Sequence, residues 1–181
     1  MTPKQIERIK TKIKKIKAAL TADKKHWGGY FHDGQGLRYL PPQLYIQVDD
    51  FTGGLRYFNW FQKNFSGDSS YPDFLFEWTI ILFKTKRIKE AEKKAFQLFC
   101  FDNNFFLKIT GHINSTIPDQ ELAESYIIEL KNKDSFADFK TWFDKLTTSA
   151  IFLHLCTKYI DIKKHLHKEQ DEKEQLIYNN N

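Results

Sequence analysis

Three groups of side chains in this sequence are of the types that perform chemistry. His26, His32 and Asp33 stand close together, with Arg38 just beyond them. Histidine and carboxylate side by side suit metal capture or proton transfer. A metal site, however, needs three or four converging ligands, and no further ligand pair adjoins these residues. The sequence therefore assigns them no metal, and catalysis, were it present, would centre on His32, Asp33 and Arg38. Cys100 and Cys156, the only two cysteines, lie far apart in apolar surroundings. That spacing gives neither a disulfide framework nor a metal knuckle, so they read as two reduced thiols buried in a cytoplasmic protein. His165, His167 and Glu169 complete the set; on one helix His165 and Glu169 share a face while His167 points elsewhere, and all three read as solvated.

No recognised catalytic pattern organises these residues. Gly34-Gln35-Gly36 lacks the third glycine and preceding apolar strand of a dinucleotide loop. There is no nucleophile elbow, no phosphate-binding P-loop and no His-Glu-x-x-His helix. The chain is accordingly read as non-enzymatic and without a cofactor.

Residues 26–42, HWGGYFHDGQGLRYLPP, must position the first group. Their glycines and prolines demand turns, and Asp33-Gly34 reads as the corner of a short ribbon. Trp27, Tyr30, Phe31, Arg38 and Tyr39 are the residue types that dominate recognition hot spots. Two roles fit: a surface that recognises a partner, or an aromatic plug closing one end of the core.

The segment that anchors the remainder runs from Pro72 to Asp102. Phe74 to Phe83 is apolar on every side, and a helix apolar all round must be surrounded. Ile88, Ala91, Ala95 and Leu98 then recur three or four apart between lysines and glutamates, the pattern of a covering helix. Upstream, Leu44 to Val48 and Thr52 to Phe65 continue the helical rhythm; the second turns Leu55, Phe58, Phe61 and Phe65 inward and Tyr57 and Trp60 toward a neighbour.

The net charge of +5 is unevenly placed: residues 1–25 hold nine Lys or Arg against Glu7 and Asp23, or +7, leaving −2 for the remainder. Thr2-Pro3-Lys4-Gln5 reads as a capped helix start. Ile6, Ile9, Ile13, Ile16 and Leu20 form a narrow seam at spacings 3, 4, 3, 4. Such a helix packs on the body, pairs with a second copy to make a homodimer, or lies on nucleic acid or an acidic membrane. Lysines without aromatics are a weak signal for base reading. No apolar run approaches the roughly 20 residues of a membrane span, and the basic start lacks the apolar core of a signal peptide.

Lys86-Arg87-Ile88-Lys89-Glu90-Ala91-Glu92-Lys93-Lys94-Ala95 resembles the turn and second helix of a tetratricopeptide repeat. Ile88 fills the family's bulky slot, and Ala91 the small slot that lets helices approach. A shift of 37 residues places Phe51 on Ile88, Gly54 on Ala91, Tyr45 on Leu82 and Phe58 on Ala95, so two copies occupy 41–66 and 72–102. The spacing exceeds the family's roughly 34 residues, and neither copy has the proline that usually closes a repeat. The resemblance implies an all-α, right-handed array of antiparallel helix hairpins with flanking N- and C-terminal helices. It also implies a scaffold that binds proteins through the groove of the first helices, here near Phe76, Ile80, Phe83 and Lys84. These are apolar enough that either another helix of the chain covers them or an apolar partner segment does.

Toward the C-terminus, Phe105 to Ile109 is followed by a loop, a helix from Pro118 with Leu122, Ala123, Tyr126, Ile127 and Leu130 as its stripe, and another with Phe136, Phe139, Phe143 and Leu146. The last element, about Ser149 to Tyr178, carries Phe152, Leu155, Tyr159, Ile162 and Leu166 as a second narrow seam. The expected organisation is one helical domain, 1–178: a basic heptad helix (1–25), the Gly/aromatic loop (26–42), two repeat-like hairpins (43–109) and C-terminal helices (117–178), with 179–181 a frayed tail. The expected function is an adaptor binding a protein or peptide through Trp27, Tyr30, Arg38, Tyr39, Tyr57, Trp60, Phe76, Phe83 and Lys84. The alternative is a nucleic-acid-associated protein using residues 1–25.

Overall fold

The computed structural model describes residues 1–68, 70–110 and 134–179, with side chains through residue 170. The stripe expected over 118–130 and the last two residues of the tail lie outside them. Among the described residues all regular structure is helical. The α-helices of the described residues are α1 (Pro3–His26), α2 (Pro41–Gln47), α3 (Phe51–Asn64), α4 (Pro72–Lys84), α5 (Ile88–Phe101), α6 (Asn103–Ile109), α7 (Ala137–Thr147) and α8 (Ala150–Asn179). Single 3-10 turns occupy Leu37–Tyr39 and Asp134–Phe136. The chain divides into two compact units, Met1–Ala95 and Phe96–Asn181.

In the first unit, α1 begins as its sequence dictates. The Thr2 N–H donates to Gln5 Oε1 at 2.7 Å, and the Gln5 N–H to Thr2 Oγ1 at 3.3 Å, while Pro3 occupies the first turn. These contacts satisfy amides that have no partner within the helix. The isoleucine seam is buried only along its second half, at Ile13, Ile16 and Leu20. There α1 meets α2 and the 37–39 turn. Ile6 and Ile9 remain half-exposed. The second half of the stretch that would pair with a second copy is therefore already occupied by the chain itself.

Pro41 and Pro42 start α2 and are both buried. Asp49, with φ 54°, turns the chain, and Asp50 caps α3 by accepting the Gly53 N–H at 2.8 Å. Helices α2, α3 and α4 pack mutually. Gly54 makes this approach feasible: a Cβ there would lie 2.5 Å from Ile81 Cδ1 of α4. Every residue of α4 from Phe74 to Leu82 is buried. This includes Glu77 and Thr79, whose hydroxyl donates to the Leu75 carbonyl at 2.9 Å. At the centre Phe58 stacks on Trp78, with ring centres 4.3 Å apart and planes 9° apart, and meets Phe74 edge-on at 5.2 Å. Trp78 is covered on another side by Lys94 of α5, whose Nζ lies 3.6 Å from the ring centre. Burial lowers the Lys94 amine to about 8, and the ring quadrupole offsets part of that cost.

The inward face of α3 differs from the expected one: Tyr57 is 2% exposed, whereas Leu55 and Phe65 are half-exposed. The tyrosine can be buried because its hydroxyl has a partner, the Arg38 carbonyl at 2.7 Å.

In the second unit, Asp102 caps α6 by accepting the Phe105 N–H at 2.9 Å. Phe106 stacks on Phe152 at 5.6 Å and meets Phe143 at 5.9 Å. The seam expected along α8 is displaced. Phe152 and Cys156 are buried and Tyr159 half-buried, its hydroxyl donating to the Cys100 carbonyl at 2.8 Å; Leu155, Ile162 and Leu166 are exposed. Both thiols are free. Burial first, and then Cys100, pushes the Cys156 thiol up to about 11, so it is a poor nucleophile at neutral pH.

Candidate functional site

The loop between α1 and α2 is built by a series of local constraints. Gly28 (φ 62°) and Gly29 (φ 102°) take backbone conformations that side chains disfavour, and so reverse the chain at the end of α1. The returning chain lies back on the helix: the His32 and Asp33 N–H groups both donate to Asp23 Oδ2, at 2.8 and 3.2 Å. Phe31 tucks between Trp60 (5.7 Å) and Phe65 (4.7 Å) beneath the Lys24 ammonium. Asp33-Gly34 is a turn with no strand on either side, not the corner of a ribbon. Asp33, buried and at φ 32°, instead caps the 3-10 turn. Its Oδ1 accepts the Leu37 N–H at 2.8 Å, and its Oδ2 the Arg38 N–H at 3.0 Å.

Arg38 then locks the loop to the body. Its Nη1 donates to Asp33 Oδ2 and its Nε to Asp68 Oδ2, both at 2.9 Å. The guanidinium lies over the Tyr39 and Phe65 rings, at 4.5 and 5.2 Å. Burial opposes its charge, but the hydrogen bonds to Asp68 and Asp33 outweigh that and strengthen its hold on the proton. The Tyr39 hydroxyl donates to both Asp68 oxygens, at 2.7 and 2.6 Å, and the Ser70 N–H adds 2.8 Å. Burial works against an ionised Asp68; the donations from Tyr39, Ser70 and Arg38 prevail and hold its carboxyl below the usual range. Burial, followed by the bond to Asp68, pushes the Tyr39 phenol up to about 12.

This last shift predicts an alkaline weakness. An unfolded tyrosine ionises near 10, so the Tyr39 contribution is complete below pH 10 and is lost as pH climbs toward 12. The stability difference between the native chain and Tyr39→Phe, from urea titrations across that range, should shrink with rising pH. A constant difference would contradict the assignment.

Pinned underneath, the loop turns its remaining aromatics outward. Trp27 is 50% and Tyr30 79% exposed. The Trp27 ring stacks on His32 at 5.0 Å and meets His26 edge-on at 5.1 Å. Of the residues expected to bind a partner, the structure thus gathers Trp27, Tyr30, Arg38 and Tyr39 in one loop. Trp60 lies half-buried beneath it, against Phe31 and Phe65. Two are corrected. Tyr57 and Phe76, at 2% and 1% exposure, are core residues: the first is drawn in by its bond to Arg38, and the second belongs to the fully covered helix α4. Ile80, expected to line the same groove, is also fully buried. Phe83 and Lys84 are half-buried at the far end of α4, about 15 Å along the helix from Phe74. Lys84 Nζ stands 5.9 Å from the centre of the Phe51 ring.

Three residues of the site were not singled out in the sequence. Asp68 sits in a Ser/Gly loop, where an acid reads only as solvated. Tyr71 is 56% exposed and packs edge-on against Tyr39 at 4.7 Å; its position before Pro72, which enforces an extended backbone, was the available signal. Leu40, 41% exposed, had none. Among the described residues no group of three or more His, Cys, Asp or Glu side chains could hold a metal ion. The His165–Glu169 pair, 3.5 Å apart, is exposed. No described helix is long and apolar enough to cross a membrane. No family model, curated protein or solved structure matches this chain.

Proposed function

We propose that this chain is a non-enzymatic interaction module that holds a protein or peptide through the aromatic loop, with Trp27 and Tyr30 as anchors and Arg38 and Tyr39 as the support beneath them. The observation that carries this reading is the contrast within the loop. Its backbone is fixed by Asp23, Asp33, Arg38 and Asp68, yet two large aromatic side chains remain in solvent. A preorganised surface loses little entropy on binding, and Trp and Tyr give large contact area at few rotatable bonds. An exposed segment with apolar or aromatic side chains is the chemistry such a surface fits. In this reading Asp33 and Arg38 serve the loop rather than catalysis: Asp33 accepts two backbone N–H groups, and Arg38 bridges it to Asp68.

The same reading takes residues 41–102 as two divergent tetratricopeptide-like hairpins. Support comes from the small slots: Gly54 and Ala91 are both buried, and Gly54 stands where α3 meets α4. The groove that the family would use is filled at Phe76 and Ile80, which moves the binding surface to the loop.

Deleting residues 1–25 would not test this, since it removes Ile13, Ile16 and Leu20 from the core. Capture of a partner from extract of the native cell, followed by titration, is the cleaner experiment. Trp27→Ala with Tyr30→Ala should weaken the captured complex at least 30-fold, about 2 kcal/mol, the scale of hot-spot truncation. Unchanged affinity would remove the loop as the binding surface.

A further inference from the structure

The structure also separates two faces of α1 that the sequence left entangled. Ile13, Ile16 and Leu20 point inward and are buried, so the apolar face of the helix is taken. What faces solvent is a ridge of cations. Lys4, Arg8 and Lys15 recur at helical spacing along one side, with Lys12 at its edge, and all four are exposed. No ion pair or hydrogen bond among the described residues engages any of them. The only acid on that side is Glu7; the other acid of the helix, Asp23, is occupied by the His32 and Asp33 amides.

We propose that this ridge is a docking surface for the phosphate backbone of duplex nucleic acid, read without regard to base sequence. Charge complementarity argues for that occupant. From Lys4 to Lys15 the helix runs about 16 Å, and that length of duplex carries about ten negative charges. A phosphate surface needs only positioned cations, and phosphate contacts require none of the arginines and aromatics that base reading and stacking demand. An anionic membrane fits less well. A helix lying in a lipid interface sinks its apolar face into the headgroups, and here that face is bound to α2 and the 37–39 turn. The surface is separate from the aromatic loop and does not depend on the adaptor reading.

The test is fluorescence anisotropy of the full-length chain with labelled duplex DNA of two unrelated sequences. Contact with four phosphates predicts a salt slope near −3.6, so affinity should fall roughly 100-fold between about 50 and 200 mM salt, equally for both sequences. Neutralising the ridge, as Lys4→Gln, Arg8→Gln, Lys12→Gln and Lys15→Gln together, should abolish binding. All four residues are exposed, so the helical circular dichroism should be kept. Neutralising exposed Lys89 and Lys93 of α5 in the same way should leave binding within a few-fold. Absent binding at low salt, equal loss in both variants, or equally tight binding to vesicles of anionic phospholipid would overturn the proposal.

Discussion

Replacing Phe58 with alanine is expected to lower the stability of the chain by about 4 kcal/mol. Phe58 is fully buried, stacked on Trp78 and edge-on to Phe74. Truncation removes the transfer energy of the ring and leaves a hole, because α3, which carries Phe58, is already in close contact with α4 at Gly54, one turn away. Phe→Ala in such sites costs about 3–5 kcal/mol, a large share of a typical stability of 5–15 kcal/mol. The midpoint of thermal unfolding should fall by about 8–16 °C for a chain of this size. Trp78 loses its stacking partner in the same variant, so its fluorescence should report the change locally. Phe101→Ala supplies the contrast: that ring is 45% exposed, and its loss should cost under 1 kcal/mol. Comparable costs for the two variants would show that the α3–α4 core is not where the stability resides.

Arg38→Met is the second large effect expected, about 3 kcal/mol, and its cause is electrostatic. The methionine preserves much of the packing over Tyr39 and Phe65, but removes the cation between Asp33, 2% exposed at its side chain, and Asp68, 12% exposed. Removing one partner leaves buried charge uncompensated, which costs more than the pair contributed in place. Arg38→Lys should recover only part of this, since one ammonium cannot reproduce a planar fork that bonds two carboxylates from separate nitrogens. A double-mutant cycle with Asp68→Asn should return a coupling of 1 kcal/mol or more. Additive losses would mean that Arg38 and Asp68 are neighbours rather than partners. Affinity for a captured partner should also drop in Arg38→Met, although Trp27 and Tyr30 remain present, because their loop is no longer held.

These predictions fall on features that were unequally legible in the sequence. Helix α4 was plain: nine successive residues from Phe74 to Leu82 are buried, and only an enclosed helix tolerates that composition. The capped start of α1 and the turn before Ile88 were equally local, decided by side chains three or four residues apart. The fate of Tyr57 was not local. Its burial over Leu55 depends on a carbonyl 19 residues away, at Arg38, and periodicity carries no record of such a partner. Helix α8 shows the other limit. A seam spaced 3, 4, 3, 4 drifts around a helix of 3.6 residues per turn. The rings of Phe96 and Phe106 on Phe152, with the bond from Tyr159 to Cys100, draw in the adjacent line through Cys156. Leu155 and Ile162 are left one step outside it. At the aromatic loop the residue types were visible, and the division of labour was not. Arg38 and Tyr39 looked like contact residues, and their bonds to Asp68, 30 and 29 residues distant, left no mark in the local pattern.

That distance has a topological consequence. By joining residue 38 to residue 68, the Arg38–Asp68 bond encloses α2 and α3 within a ring of chain, as a crosslink would. A covalent link confines the unfolded ensemble as well; this one confines only the folded chain, so the full entropy of closing the ring opposes folding. Closure entropy grows only as the logarithm of ring length, about 0.6 kcal/mol for each doubling. A few residues inserted between Phe65 and Asp68 would therefore change the closure term by roughly a tenth of a kcal/mol. The connection between α3 and α4 can vary in length at little cost, provided one carboxylate still reaches the guanidinium.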